Sequence, residues 1–257
     1  MKLKIGVLSD DGLGQEMMKQ GVAALVRHAA NVMHNANIKH WALIFLSFFS
    51  TGAAAQTSLR DSLTILNRQI SLSPRSTDLR LKKAALNIEL EQWDYAIDEY
   101  GRVLDIDPDC LAALYFRAYA HTHQRHLDMA RNDYERFLSI VPRHFEARLG
   151  LAMVKRQLGR RQDTIDELNL LVQQHPDSAL AYAARAGYET EQKDYENALF
   201  DWDEAISRQP RNADFVVSKV DILLRLRRYD EAWGELETAM KRGIPRAALK
   251  EWIDRCK

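Results

Sequence analysis

The chain has 257 residues, of which 46% are hydrophobic and 28% charged, the ordinary balance of a globular protein. Lys plus Arg and Asp plus Glu both total 36, so no charge excess draws it to nucleic acid by counterion release, and a nucleic-acid partner is disfavoured. The only cysteines, Cys110 and Cys256, make neither a disulfide framework nor a metal-binding pair.

Residues 1–32 read as a strand, a glycine-containing turn and an amphipathic helix. The turn resembles the GDGIGPE opening of the isopropylmalate and isocitrate dehydrogenase family. Asp11, Gly12, Gly14 and Glu16 match, whereas Asp10 stands at the first Gly and Gln15 at the Pro. Nothing downstream continues the resemblance, and one strand with one helix cannot build a nucleotide or hydroxy-acid site, so no cofactor is expected.

Trp41 to Phe49 is an apolar run too short to cross a bilayer. Lys39 and His40 precede it and Thr51-Gly52-Ala53-Ala54-Ala55 follows, the three regions of a secretory leader with cleavage between Ala55 and Gln56. Initiation at Met33 gives that leader ordinary proportions, so the expected layout is an extension over 1–32 and a signal peptide over 33–55. The expected location is periplasmic or secreted, with no membrane span after cleavage; a leader that does not function leaves the protein cytoplasmic. The competing reading of the apolar run is a buried core helix.

From there on, proline sets the organisation. Pro74, Pro108, Pro142, Pro176, Pro210 and Pro245 are separated by 34, 34, 34, 34 and 35 residues. Counting each period from Thr77, Leu111, Phe145, Ala179 and Ala213, position eight holds Ala84, Ala118, Ala152, Ala186 and Val220. Position twenty holds Ala96, Ala130, Thr164, Ala198 and Ala232, and the bulky position twenty-four holds Tyr100, Tyr134, Leu168, Trp202 and Leu236. Small columns let paired helices approach closely, and the bulky column fills the wider space between pairs.

This spacing resembles the tetratricopeptide repeat. The resemblance implies an all-α, right-handed superhelical solenoid of five helix-turn-helix repeats over 77–110, 111–144, 145–178, 179–212 and 213–245. A leading helix is expected within 56–76, over Ser58 to Leu72, and a capping helix within 246–257, over Arg246 to Cys256. In the first repeat the helices are expected over Asp78–Glu91 and Trp93–Ile106. Position seven holds Lys83, Arg117, Leu151, Arg185 and Lys219, against Glu99, Asp133, Glu167, Asp201 and Glu235 at position twenty-three. The pattern predicts an ion-pair ladder and resembles the Arg/Asp variety of bacterial repeats; two solvated faces sharing a period are the alternative. Glu167, opposite Leu151, then needs another partner.

Catalytic signatures are absent: no GxSxG, HExxH or GxxxxGK[ST] occurs, and an enzyme is not expected. His121, His123 and His126 form the one cluster, in which only His123 and His126 have the spacing of ligands on adjacent turns, and no metal is expected there. The tetratricopeptide resemblance implies a groove lined by the first helix of each pair, with a protein or peptide ligand as the partner. Transferred residue by residue, it places Leu81 and Lys82, then Tyr115, Phe116, Tyr119 and His123, then Leu149, Met153 and Arg156 in the groove. Leu81, Ala85, Phe116, Glu146 and Gly150 stand where the family's carboxylate-gripping Lys and Asn would be, so that clamp is missing. In its place Tyr115, Phe116, Tyr119 and Met153 are expected to form an apolar patch, unless they fill core. Two other readings compete with the binding scaffold: a self-assembling structural subunit, hence a homo-oligomer, and a metal-dependent or enzyme-accessory protein using the histidines.

Overall fold

The computed structural model describes residues 49–256, with side chains described from Leu59 onward. The extension over 1–32, its dehydrogenase-like turn and the leader up to residue 48 lie outside the described residues. Among those described there are twelve α-helices, one 3₁₀ turn and no strand.

Helix α1 (Phe49–Leu72) begins nine residues before the expected start and runs unbroken through the alanine stretch and Gln56. No proline interrupts that segment; the first is Pro74, two residues past the helix end. The pairs follow: α2 (Thr77–Glu89) and α3 (Trp93–Ile106), α4 (Leu111–His123) and α5 (Leu127–Ile140), α6 (Phe145–Gln157) and α7 (Arg161–Gln174). Then come α8 (Ala179–Glu191) and α9 (Tyr195–Arg208), and α10 (Ala213–Arg225) and α11 (Tyr229–Lys241). Pro108, Pro142, Pro176 and Pro210 each stand two residues after a second helix. There the missing N–H and the restraint on the preceding residue stop the helix. Side-chain caps open four of the five first helices, at Ser76, His144, Ser178 and Asn212, each accepting from a backbone N–H of the first turn, whereas Cys110 after Pro108 provides none.

The chain forms two compact units, divided after Gly159. In the first, each of α1 to α6 packs on its neighbours in sequence, and α4 also touches α2 and α6. In the second, α7 to α11 pack in the same serial manner. Each unit has its own hydrophobic cluster. All ten side chains of the two small columns are 0% exposed, and the bulky column is likewise buried. Thr164, the one hydroxyl in the alanine columns, is satisfied by the Arg160 carbonyl 2.7 Å away.

The expected capping helix is corrected. Residues Arg246–Leu249 form a 3₁₀ turn and only Lys250–Arg255 is α-helical, here α12. Pro245 is extended (φ −61°, ψ 134°) and its carbonyl accepts from Ala248 N, so the segment starts with a tighter i to i+3 bond. The cap still works through Leu249 and Ile253, 0% and 2% exposed, which close the second cluster against α10. No helix among the described residues is long and apolar enough to cross a membrane.

Candidate functional site

The charged columns meet as an ion-pair ladder. Lys83 Nζ lies 2.9 Å from Glu99, Arg117 grips both oxygens of Asp133 at 2.8 and 2.7 Å, and Arg185 does the same to Asp201 at 2.6 and 2.7 Å. Lys219 binds both Glu235 and Asp203. Glu99, Asp133 and Asp201 are buried, so these are not surface pairs. Burial of such pairs adds little net stability while making removal of one partner costly, which favours a single register of the two helices. The first rung carries a second cation that the spacing did not reveal: Arg80 donates to Glu99 at 2.7 Å and to the Pro74 carbonyl, tying α2 to the preceding turn. In the third repeat buried Leu151 replaces the position-seven cation, and Glu167 has an interaction of its own.

The nine groove candidates all lie in the first unit, on α2, α4 and α6, but they are not equally accessible. Tyr115, Tyr119 and Leu149 are buried. This corrects the expectation of an apolar patch anchored on the two tyrosines. The Tyr115 ring sits among Phe116, Tyr134, Phe137 and His144, with centroids 5.1 to 5.9 Å away, so it is core. Leu81, Lys82, Phe116, Met153 and Arg156 are half-buried, and His123 is exposed. Behind His123 stands Trp93 from α3, stacked on it at 4.2 Å and 5°, with Tyr119 edge-on at 4.6 Å. Trp93 was not among the candidates, because it belongs to a second helix.

The histidine spacing also resolves differently from its expectation. His121 turns inward and pairs across the turn with His126, 5.6 Å between rings, while His123 leaves for Trp93. Burial holds the His121 imidazole below its ordinary pKa, Asp133 opposing the shift and Arg117 adding to it. Among the described residues no three His, Cys, Asp or Glu side chains converge as metal ligands. Cys110 and Cys256 are free, half-buried thiols whose pKa burial pushes up, so neither is an activated nucleophile.

In the second unit, α7, α8 and α9 enclose a recess of about 540 Å³. Its floor is α8, presenting Arg185 and, one turn on, Glu189; its walls are Ile165 and Asn169 of α7 and Phe200 and Asp201 of α9. Asn169 accepts a further bond from Arg185 at 3.0 Å. Glu189 lies 4.0 Å from Arg185 Nε, and its Oε2 is buried without a hydrogen-bond partner. Its carboxyl is pushed up to about 7, chiefly by burial and then by the charge of Asp201, with Arg185 pulling the other way and the charge of Asp194 and a hydrogen bond from the protonated acid to Asp201 adding to the rise. The sequence carried a signal for this place that the ladder obscured: position eleven, one turn past the cations, reads Asn87, His121, Lys155, Glu189 and Leu223. Three of those polar side chains, Asn87, His121 and Glu189, have a buried atom with no hydrogen-bond partner.

Comparison with known proteins gives one consistent pattern. The tetratricopeptide-repeat sequence pattern matches residues 81–138, 146–178 and 191–248. Sperm-associated antigen 1 of Mus musculus is 30% identical over 86 residues, 34% of this chain; the chain spans only 9% of that curated relative's length. A tetratricopeptide-repeat protein from Parabacteroides merdae superposes over 94% of this chain and 98% of its own, with a TM-score of 0.55 and 19% identity. YrrB, described as a TPR protein with an unusual peptide-binding site, covers 68% of this chain and 91% of its own, with a TM-score of 0.54 and 15% identity.

Proposed function

Because the chain belongs to the tetratricopeptide-repeat family, we propose that it is a non-catalytic scaffold that holds a peptide or protein partner on the first-helix face of its first unit, and that it works in the cell envelope. The observation that carries the binding reading is the accessible row along α2, α4 and α6. Lys82, Phe116, Met153 and Arg156 are half-buried beside exposed His123, all over a core packed tightly enough to hold them in place. An aromatic or long apolar side chain seated against such a support typically carries about 2 kcal/mol or more of binding energy. That YrrB is described as having a peptide-binding site supports the same use of the fold. The envelope reading is supported by the apolar run Trp41 to Phe49 and the alanines that follow it.

The test is affinity capture with the wild-type chain beside a His123→Ala, Met153→Ala double variant, which leaves the buried tyrosines intact. A partner held on this face is lost or weakened at least tenfold in the variant; equal recovery of the same proteins overturns the assignment. For location, N-terminal sequencing of the protein from its native cells gives Gln56 first if the leader is removed there, and a retained Met1 refutes export.

A further inference from the structure

The recess between α7, α8 and α9 is chemically unlike the rest of the ladder. We infer that it is a binding site for a lysine or arginine side chain of a partner chain, received by the Glu189 carboxylate with its methylene stem lying against Phe200 and Ile165. This rests on the scaffold reading only for where the cation comes from; the recess itself can be tested without a partner.

The sign of the ligand follows from which groups are already committed. Arg185 gives three of its N–H groups to Asp201 and Asn169, and both Asp201 oxygens are thereby occupied. What is left is acidic: with Glu189 ionised, its Oε2 has no donor and its other oxygen has only Arg185 at 4.0 Å, the alternative being a protonated Glu189 held against Asp201. The charged groups lining the recess around it are Arg185 on its own helix, Asp201 on α9, Asp194 at the start of α9, and Arg161 on α7. Three carboxyls therefore stand against two guanidinium groups, one of them spent. An incoming anion would meet surplus negative charge, whereas an ammonium or guanidinium would supply the donor that Glu189 Oε2 lacks.

The form of the ligand follows from the walls. Phe200 is 61% exposed, and its position twenty-two is Asp98, Asn132, Asp166 and Gly234 in the other repeats. An exposed ring beside a half-buried acid suits a cation carried on an apolar stem, which gains ring contact and cation–π attraction together. A bare metal ion is not favoured, since among the described residues no three ligating side chains converge.

Proton linkage makes the reading measurable. A carboxyl that titrates near 7 is largely protonated at pH 6 and must lose its proton to receive the cation. Affinity is then nearly full at pH 8, half of that near 7, and falls by about tenfold between pH 8 and pH 6. The probe is Nα-acetyl-lysine methylamide, titrated into the full chain and followed by amide and Glu carboxyl NMR shifts. The uncharged norleucine and the anionic glutamate analogues serve as comparisons. Expected are shifts confined to recess residues, a lysine affinity about tenfold weaker at pH 6 than at pH 8, and at least tenfold weaker binding of both comparison probes. Glu189→Gln, which keeps the shape, should abolish the pH dependence, and Phe200→Ser should weaken lysine binding while leaving the Glu189 titration in place. Equal binding of the norleucine or glutamate probe, a pH-independent lysine affinity, unchanged binding by Glu189→Gln, or no shift at all each overturns the site. Lysine binding here with no loss of capture in the His123→Ala, Met153→Ala variant would refute the first-unit face and leave the recess standing; the reverse outcome would refute the recess alone.

Discussion

Gly150 is a residue whose identity is set by a neighbour rather than by backbone angles. A Cβ built on it would lie 2.7 Å from Cζ and 2.9 Å from Oη of Tyr134, and that ring is 1% exposed, hence without room to retreat. Gly150→Ala is therefore expected to destabilise the first unit by roughly 1–3 kcal/mol despite alanine's better helix propensity, seen as a lower urea midpoint with an unchanged slope. An unchanged midpoint would mean that the Tyr134 ring can move. The same neighbourhood explains what was legible at this scale. The bulky column containing Tyr134 could be read from the sequence because its period and size both repeat. The inward turn of Tyr115 could not, because the family's groove positions transfer a helix face but not its depth. In this chain Tyr134 and Phe137 of α5 and the capping His144 enclose the Tyr115 ring, leaving Phe116 half-buried and His123 exposed.

Each hairpin between the helices of a pair turns at position fifteen, where Glu91, Arg125, Gly159, Lys193 and Arg227 all have positive φ, between 56° and 72°. Around four of them the turn closes by the same bond, the N–H of the following residue donating to the carbonyl five back, as from His126 to His121 at 2.8 Å. For a residue with a Cβ this conformation costs roughly 1–2 kcal/mol, partly offset by the extra chain entropy that glycine loses on folding. Arg125→Gly, at an exposed site, should accordingly raise the melting temperature by about 2 °C. Gly159→Ala should lower it by a similar amount, even though its Cβ would meet nothing within 4 Å. Opposite signs at equivalent positions isolate the backbone as the cause; equal signs would reject it. The ends of four of the five second helices were legible because proline enforces them chemically; α11 stops at Lys241, four residues before Pro245, with Gly243 at φ 95°. These five turns were not, because packing of the two helices imposes the left-handed residue and four of the five sequences there show no glycine to mark it.

At the scale of the molecule, stability in such a chain is a sum over repeats and their immediate neighbours, so a whole period can be removed without breaking a rule the remainder depends on. Deleting residues 110–143 removes 34 residues and joins Asp109 to His144. That junction restores the spacing from Pro108 through a capping residue to α6, with His144 still accepting from Ala147 N. Arg117 and Asp133 leave together, so neither is stranded, while Lys155 loses only the longer contact to Glu135 at 3.9 Å. Glu99 keeps both of its cations, Arg80 and Lys83, which lie within its own repeat. Gly150 would receive the ring of Tyr100, which occupies the same bulky column as Tyr134, and Ala96 would stand where Ala130 stood. The shortened chain is therefore expected to fold with the same helical circular dichroism per residue and a cooperative melt at a lower temperature, having lost one repeat and one interface. Because α4 leaves with its His123 and Phe116, it should also fail to capture a partner held on the first-unit face. Removing residues 127–160, the same length shifted by half a period, also joins a first helix to a second but places Leu151 and its neighbours outside the chain and leaves Arg117 facing Glu167, the seven-to-twenty-three pairing recreated from two different repeats. If the repeat logic is right, both deletions fold; if the pairs were held by contacts particular to each hairpin, the first would survive and the second would lose its helical signal.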